Sequence, residues 1–267
     1  MATEHHEEKI RLGGMALPNG VLVHGPTAWA CAVRTGDGSL KVAAAKKRFN
    51  AARVRQPLLR GPARLLEVVT FLPQVRKRLP EAKLPFERPD VLATMLAGAV
   101  VVRIVRESPR LSPAAQELVA GLFALAPATV ALRGGDLAAY HGAEHISIGT
   151  YEHGEPREKE HERCGSHLVG PLLVTSAAAA AIAGRAPLRM RSAARAVGSL
   201  GALAASTEIF GWMVRNPQHL LAKALARPGH ELQHRLATAE PTPEQIEVAE
   251  AALRACLELE HGDGDTH

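Results

Sequence analysis

A series of apolar stretches limits what this chain can fold into more than any other feature. Four of them lie in the middle and later parts of the chain, at residues 91–102, 118–132, 168–184 and 196–214. The third carries no charged side chain, and the fourth carries only Glu208. A helix that crosses a bilayer needs about 20 apolar residues, so the last two stretches are near the lower limit of length. Hydropathy alone therefore leaves two structures open, a buried helical core and helices inserted in a bilayer.

Composition favours helices that pack closely on one another. Apolar residues make up 46% of the chain but aromatic residues only 3%, so small aliphatic side chains, above all alanine, must fill the interior. Alanine has the highest helix propensity. The three cysteines are too few and too widely spaced for a disulfide framework, and their odd number suits a reducing compartment. The polar start of the chain predicts that there is no signal peptide.

The N-terminal part has a different pattern. Between residues 13 and 42, short apolar runs are separated by glycine and proline, which predicts two or three β-strands with a hairpin at Asp37-Gly38. The predicted fold class is therefore mainly α (α+β): a small N-terminal β subdomain and then an alanine-rich helical bundle, inserted in or lying on a membrane. The predicted parts are a disordered head at residues 1–10, the β subdomain at 11–60, a helical domain at 61–260 and a frayed tail at 261–267.

Two amphipathic helices have clear signals of their own. Residues 64–79 have helical spacing of apolar residues and end in the basic run at 76–78. Near the C-terminus, Thr242 and Gln245 fit a capping box, with Pro243 at the first helical position. Apolar residues then recur at helical spacing, which predicts a helix that packs one face on the protein core.

The segment 46–64 is strongly basic, with seven basic residues and no acidic one. It fits a solvated surface, or a surface that binds anionic lipid head groups on the cytoplasmic side of a membrane. Nucleic acid is less favoured, because aromatic residues that could stack on bases are almost absent from this segment. Together with the basic run at 76–78, the segment suits the cytoplasmic side.

Reactive side chains are concentrated in residues 140–154, which contain three histidines and two glutamates. His141, Glu144 and His145 match the pattern H-x-x-E-H. Histidines four residues apart lie on one face of a helix, so they can bind one metal ion from the same side. In such sites the histidines hold zinc, and the glutamate takes a proton from an activated water. We therefore expect His141 and His145 to be metal ligands and Glu144 to be the general base.

A catalytic site of this kind needs a third protein ligand. Glu208 is the first candidate, because an ionised side chain in an apolar helix is costly unless it is paired or binds a metal. Glu152 is the second candidate, since it returns to the helix face of His141 if the helix continues past Gly149.

A third source of ligands is the group His161, Cys164 and His167, at a spacing of three and three. A His-x-x-Cys pair can bind zinc or act as proton donor or nucleophile, so His161 and Cys164 are also predicted catalytic residues. His153 and His167 are expected to be exposed or to support the ligands. The mixed donors favour zinc, and another divalent metal such as iron or manganese stays open.

The sequence also resembles a known family. The segments GGMALPNGVLVHGP, PLLRGPARLLE, YHGAEHISIGTYEHG, HERCGS, STEIFG, NPQHLLA and PTPEQIEVAEAAL occur in the order seen in the YqhQ-like family, a bacterial domain of unknown function (1385) described as predicted metal-dependent enzymes with membrane helices. The resemblance runs from about residue 13 to residue 257. It implies a cytoplasmic-membrane location and a metal site. The residues that it implies for this site are His141, Glu144, His145, His161, Cys164 and Glu208.

The chain departs from the usual opening of that family, GGQAVIEGVMMRG. Met15, Asn19 and His24 replace glutamine, glutamate and arginine, and Ile146 replaces a lysine. If the replaced polar residues bind substrate, this chain is an altered member. The residues of the metal block are intact, so the resemblance supports metal binding better than activity.

Together these features predict a zinc-type, metal-dependent hydrolase at the bacterial cytoplasmic membrane. Its site is expected on or near the cytoplasmic side, near the end of an apolar helix at 118–140. Anionic lipid is the expected partner, and a membrane-linked or peptide substrate would fit this location. Two alternatives stay open. One is a non-catalytic, membrane-associated binding or assembly protein, and the other is a soluble cytoplasmic protein with a structural histidine cluster.

Overall fold

The computed structural model of the chain describes residues 9–133 and 135–262. The predicted head at 1–10 and tail at 261–267 lie almost entirely outside these residues. The chain is 66% helical, and a small antiparallel sheet precedes the helices. The predicted fold class, mainly α with a small N-terminal β unit, is therefore confirmed.

Four strands form the sheet, and each pairs antiparallel with the next in chain order. They are β1 (Gly13–Leu17), β2 (Gly20–His24), β3 (Ala28–Arg34) and β4 (Leu40–Lys46). The prediction of two or three strands was too low, because β1 and β4 are rich in glycine or alanine and poor in the β-branched residues that mark strands. The predicted turn at Asp37-Gly38 is confirmed, since Gly38 has φ of +83° and the Asp37 carboxylate accepts a hydrogen bond from the Ser39 N–H (3.1 Å).

One face of the sheet packs on α1 (Arg60–Arg78). Trp29 of β3 meets Phe71 of α1 edge to face, with ring centroids 5.2 Å apart. Both side chains are almost completely buried. Burying a side chain of this size contributes about 1.5–3 kcal/mol, and an aromatic pair adds about 1 kcal/mol. The helix begins four residues before the start predicted at residue 64.

The other face of the sheet packs on α5 (Asp136–His153) and α9 (Pro243–His261). In α9 the residues that face the sheet are all fully buried: Val248, Ala249, Ala252 and Cys256. Strands β2 and β3 are consequently buried at nearly every position, as expected for strands covered on both sides. The sheet thus shares one core with two helices from the later part of the chain.

The predicted capping box at the start of α9 is confirmed. The hydroxyl of Thr242 accepts a hydrogen bond from the Gln245 N–H (3.4 Å), and the Thr242 N–H donates to the side-chain oxygen of Gln245 (2.9 Å). These two bonds satisfy backbone and side-chain groups that would otherwise lack partners at a helix start. The cap fixes where α9 enters the core.

The remaining helices form a second layer. They are α2 (Pro89–Glu107), α3 (Pro113–Ala124), α4 (Ala126–Leu132), α6 (Val169–Ala183), α7 (Arg191–Arg215) and α8 (Leu220–Leu232). Helix α6 contacts both α3 and α7, and α2 contacts α3. The contacts of α6 with α7 and of α2 with α3 join consecutive helices, whereas the contact of α6 with α3 joins helices separated in the chain by α4 and α5.

Three helical segments are long and apolar enough to cross a membrane, judged by length and composition: Pro113–Leu132, Gly165–Ala183 and Leu188–Arg215. Only 17%, 28% and 22% of their apolar windows are buried in the part of the chain that the structure describes. Large side chains such as Val197 and Leu200 instead point outward and are about 70% exposed. Extended apolar surfaces of this kind mark membrane or protein contacts, so the layer is compatible with membrane association.

Candidate metal centre

The histidine and glutamate block lies on α5, which is a helix of its own. Helix α4 ends at Leu132, and α5 begins after Gly135, which has φ of +90°. The expected single apolar helix at 118–140 is therefore wrong, because the chain turns at a glycine before the block begins. The block lies in the buried middle of α5, against the sheet.

The two histidines present the same ring atom to the same space. The Nδ1–H of His141 donates to the carbonyl of Ala237 (2.8 Å), and the Nδ1–H of His145 donates to the carbonyl of Lys159 (2.6 Å). Because a carbonyl can only accept, Nδ1 carries a proton in both rings, which leaves Nε2 as the ring atom that can bind a metal ion. Burial lowers the pKa of His145 to about 3, so this ring is neutral at physiological pH. Carbonyl partners of this kind orient metal-binding histidines in many proteins.

Cys164 completes the group from the loop before the segment Gly165–Ala183. Its Sγ lies 3.5 Å from Nε2 of His141. His141, His145 and Cys164 each offer one ligand atom, and these atoms lie within 4.8 Å of one another. Ligands that bind one zinc ion at about 2.0–2.3 Å must be spaced in roughly this way, so the three residues fit a metal ion. Burial raises the pKa of the Cys164 thiol, which means that metal binding would displace a proton.

Glu144 lies beside both histidines. Its Oε2 is 3.9 Å from Nε2 of His141 and 3.8 Å from Nε2 of His145. The residue is only 7% exposed, and burial raises the pKa of its carboxyl to about 7. A carboxyl group with a pKa near neutrality can both take up and release a proton at physiological pH. The structure therefore brings together four residues from the two predicted blocks.

Strand β1 forms the facing wall of the centre. A cavity of about 190 Å³ is lined by the four residues above and by Gly13 and Gly14. A Cβ atom at position 14 would lie 2.0 Å from Oε1 of Glu144. Only glycine therefore leaves room for the carboxylate, and this wall was missed by sequence reasoning. Two adjacent glycines at the start of the predicted β subdomain were the available signal, since glycines in a strand often mark a close approach of other groups.

Gln233 is a second residue that sequence reasoning missed. It is completely buried, accepts a hydrogen bond from the N–H of His161 (3.0 Å) and donates to the hydroxyl of Ser166 (2.8 Å). It also begins the π-helical turn Gln233–Ala237, whose last carbonyl holds His141. One amide thus links the loop that carries Cys164 to the turn that orients His141. The sequence gives no signal for this role, because the amide is defined only by its tertiary contacts.

His161 is held in a different tautomer from the ligand histidines. Its Nδ1 accepts a hydrogen bond from the Arg163 N–H (3.2 Å), so the proton lies on Nε2, which donates to the carboxylate of Glu152 (3.2 Å). Glu152 also forms an ion pair with Arg163. Burial lowers the pKa of His161. Both nitrogens of His161 and both oxygens of Glu152 are thus engaged, and neither residue belongs to the ligand group.

Glu208, the first candidate for the third ligand, lies elsewhere. Its Oε1 accepts hydrogen bonds from Nε of Arg60 (2.8 Å) and from the N–H of Leu58 (3.2 Å), and its Oε2 accepts from Nη2 of Arg60. The structure thus joins this carboxylate to the start of α1 and not to the two histidines. The lone charge of the last apolar stretch is balanced by a guanidinium, and Cys164 occupies the place that Glu208 was expected to take.

The other two predicted histidines lie near the centre. His153 is exposed at the end of α5, and its Nδ1–H donates to the carbonyl of Gly149 (2.9 Å). His167 is buried, with Nδ1 3.2 Å from the amide nitrogen of Gln233. His167 therefore supports the loop of Cys164, while His153 closes the last turn of its own helix.

The replaced residues of the N-terminal motif serve the fold. The amide of Asn19 donates to the carbonyls of Arg34 (3.1 Å) and Glu81 (3.0 Å), which ties the sheet to the loop after α1. His24 packs on Phe49, with ring centroids 4.8 Å apart. Met15 packs against the core between the sheet and α1. None of these three side chains lines the cavity beside the metal ligands.

The fold and the site together define the kind of protein. It is a helical protein with apolar, membrane-compatible helices and a His/His/Cys group that could hold a metal ion beside a buried glutamate. Residues 136–259 match the model of a protein family of unknown function, DUF1385. This segment contains α5 through most of α9 and all four residues of the centre. A search of curated proteins and a search of solved structures gave no match.

Proposed function

We propose that the chain is a metal-dependent hydrolase of the YqhQ-like type at the bacterial cytoplasmic membrane, with zinc as the favoured metal. The observation that carries the proposal is the convergence of His141, His145 and Cys164 on one space, with Glu144 beside it. Three protein ligands and one open position are the arrangement of catalytic zinc sites. The cavity of about 190 Å³ next to the group has room for water and for a reacting bond.

A bound metal ion would supply Lewis-acid activation of water and of a substrate carbonyl. Glu144 takes the proton of the attacking water and later passes it to the leaving group when the bond to the carbonyl carbon breaks. Its pKa of about 7 suits both transfers. The neutral ring of His145 stays a lone-pair donor throughout.

His161 serves the reaction from the edge of the cavity, and Glu152 binds His161. The ring of His161 lies 5.5 Å from the ring of His145, centroid to centroid, and Glu152 fixes its orientation. Its Nε2–H is a hydrogen-bond donor that a substrate can share. We assign His161 the role of orienting the substrate or donating a proton, and Glu152 the role of positioning His161.

The proposal also includes a membrane with anionic lipid as partner. Beside the start of α1, the exposed side chains of Arg53, Arg55 and Arg64 alternate with exposed Leu59 and Leu66. Basic and apolar groups on one surface suit the head-group region of an anionic bilayer. A lipid-linked or membrane-peptide substrate would reach the centre from this environment.

The first test is elemental analysis of the purified protein and three variants. Wild type should carry about one metal ion per chain, His141→Ala should lose it, and Cys164→Ser should carry clearly less because it binds metal more weakly. Glu208→Gln is the matched control, because it removes a carboxylate that binds Arg60 and not the centre. Loss of metal in Glu208→Gln, or its retention in His141→Ala, would contradict the ligand assignment.

The second test separates binding from turnover. Hydrolysis of chromogenic esters of graded chain length is measured for wild type and Glu144→Gln. Removal of a general base reduces the rate by about 10²–10⁴-fold, and we expect this loss with the metal content unchanged. Equal hydrolysis rates in the two proteins would contradict the role of Glu144.

One observation favours a second candidate function, a binding or assembly protein with a structural metal. Oε2 of Glu144 is similarly close to Nε2 of both histidines, as a fourth ligand would be. Four protein ligands would close the site, as in structural zinc sites. In that case Glu144→Gln would lose metal and thermal stability together, which is the opposite of the result expected for a general base.

A further inference from the structure

A second cavity lies beside the metal centre. Its volume is about 340 Å³, and it lies between the end of α7, the helix α8 and the loop before Cys164. Small-molecule sites occupy roughly 300–1,000 Å³, so the cavity is large enough for part of a ligand. The apolar part of its wall comes from the two helices: Phe210, Met213, Val214, Ala222 and Ala226. Charged or polar side chains also line the cavity, among them Glu160, Glu162, Lys223 and His230.

The inner end of this cavity is polar and adjoins the metal centre. His161, His167 and Gln233 line it there. His161 also lines the cavity that contains the predicted metal ligands. The ring of one residue therefore belongs to the walls of both spaces. The inner end of a ligand that fills the larger cavity would therefore lie next to the cavity that contains the predicted metal ligands.

The outer end of the cavity lies where an apolar helix ends. Helix α7 belongs to the candidate span Leu188–Arg215, and the apolar wall is built by its last turns. Trp212 lies in the same turns, and tryptophan is enriched where a membrane meets water. Leu220 and Leu221 at the start of α8 are 82% and 62% exposed. Residues on both sides of these leucines, Pro217 and Ala222, line the cavity, so it lies close to exposed apolar side chains at a predicted membrane boundary.

We propose that this cavity binds the acyl chain of a membrane lipid, whose ester or amide carbonyl then reaches Glu144 past His161. The inference rests on the proposed function and names its substrate class. Water adds to the carbonyl carbon, the bond to the alcohol or amine breaks, and the leaving group takes the proton from Glu144.

An acyl chain fits the wall better than a peptide does. The apolar wall consists of side chains on two helices, whose backbone groups are already bonded within each helix. Along this apolar part of the wall, the N–H and C=O groups of a peptide would find no partners, and it is unfavourable to bury unpaired polar groups. An acyl chain has no such groups to satisfy.

The test uses photolabelling in vesicles. The full-length protein is reconstituted in vesicles of phosphatidylcholine and phosphatidylglycerol that contain a phospholipid with a diazirine at the end of one acyl chain. After irradiation, labelled positions are mapped by mass spectrometry. We expect label on cavity residues such as Met213 as well as on the outward-facing Leu200.

Two variants fill the cavity, and one matched variant does not. Ala226→Phe and Val214→Trp each place a ring in the space, and either should reduce label at Met213 by roughly tenfold, since a filled cavity leaves no room for the chain. Ala224→Phe adds the same ring on the exposed side of α8 and should leave the labelling as in wild type. Label at Leu200 reports that each variant is inserted and folded.

The labelling results test the acyl-chain site independently of the hydrolase proposal. Label at Leu200 without label at Met213, label at Met213 that both filling variants leave unchanged, or an absence of label at both positions would each overturn it. Glu144→Gln should label like wild type, because chain binding does not need the base. A protein without metal or turnover that still shows the expected labelling would refute the hydrolase and retain the lipid site.

Discussion

Two parts of the molecule use the same kind of side chain in opposite ways. In the first part, the sheet with α1, α5 and α9, small and medium apolar residues point inward, and Val248 and Cys256 are fully buried. In the second part, α3, α6 and α7, they point outward, and at most 28% of an apolar window is buried. The comparison teaches that apolar content alone does not say which surface is a core. The outer surface of the first part is suited to contact with water, and the outer surface of the second part is suited to contact with lipid.

The candidate metal centre lies where the two parts meet. His141 and His145 belong to α5 of the first part, while Cys164 directly precedes the candidate span Gly165–Ala183 of the second. Gln233, after α8, links the loop of Cys164 to the turn that holds His141. A site assembled in this way depends on the relative position of a core and an apolar helix layer.

The largest effect is expected from a charge placed in the first part. Val248→Asp would bury an unpaired carboxylate between α9 and the sheet, at a cost of about 4 kcal/mol or more. This is a large share of the stability of an ordinary domain, about 5–15 kcal/mol. Denaturant unfolding or cellular abundance measures the loss. The control is Arg254→Asp, which places the same residue on the exposed side of α9 and should change little. Equal stability of the two variants would show that this face of α9 is not a core.

A charge placed in the second part should have an intermediate effect, but only in a membrane. Leu200→Arg adds a cation to the outward face of α7, which costs about 2.5–3.5 kcal/mol at the centre of an inserted helix. The fraction of protein that resists alkaline extraction from membranes should therefore fall. Leu200→Ala, which keeps the position apolar, is the control. If Leu200→Arg instead gives a stable protein that purifies without detergent, the outward face contacts water and the comparison fails.

The smallest expected effect is on the pH dependence of metal affinity at the candidate centre, where residues of the two parts meet. His145, from the first part, is neutral because burial lowers its pKa to about 3, whereas burial raises the pKa of the Cys164 thiol at the start of the second. Metal binding must therefore release the thiol proton. Below the raised pKa, each increase of one pH unit should strengthen binding by about tenfold, or about 1.4 kcal/mol.

Competition with a chelator of known affinity measures this pH dependence between pH 6 and pH 8. Cys164→Ser should bind metal more weakly and lose the dependence that comes from the thiol. A wild-type affinity that stays constant over this range would mean that Cys164 does not bind the metal as a thiolate.

The sequence identified much of the fold and part of the site. The capping box of Thr242 and Gln245 and the turn at Asp37-Gly38 depend on neighbouring residues, so local patterns were enough to predict them. The strand count was too low because β1 and β4 gain their structure from pairing and packing, and not from strand-forming residues.

The site shows the limit of local patterns most clearly. His141, Glu144 and His145 could be grouped from their helical spacing, whereas their contact with Cys164 depends on a loop that returns to α5. Glu208 was correctly recognised as a charge that needs a partner in an apolar helix. A guanidinium and a metal ion can both meet that need, and only the fold shows that the partner is Arg60.

The close approach of β1 to Glu144 determines how much of the chain is needed to build the candidate site. The segment that matches DUF1385 begins at residue 136, after the strand whose Gly14 borders the carboxylate. The sheet-facing side of α9 would also be bare without β2 and β3. A truncated protein that keeps every predicted metal ligand but omits the first 135 residues would therefore lack both a wall of the cavity beside these ligands and the support of its last helix. The segment that matches the family model is therefore shorter than the part of the chain that builds this cavity and the core around α9.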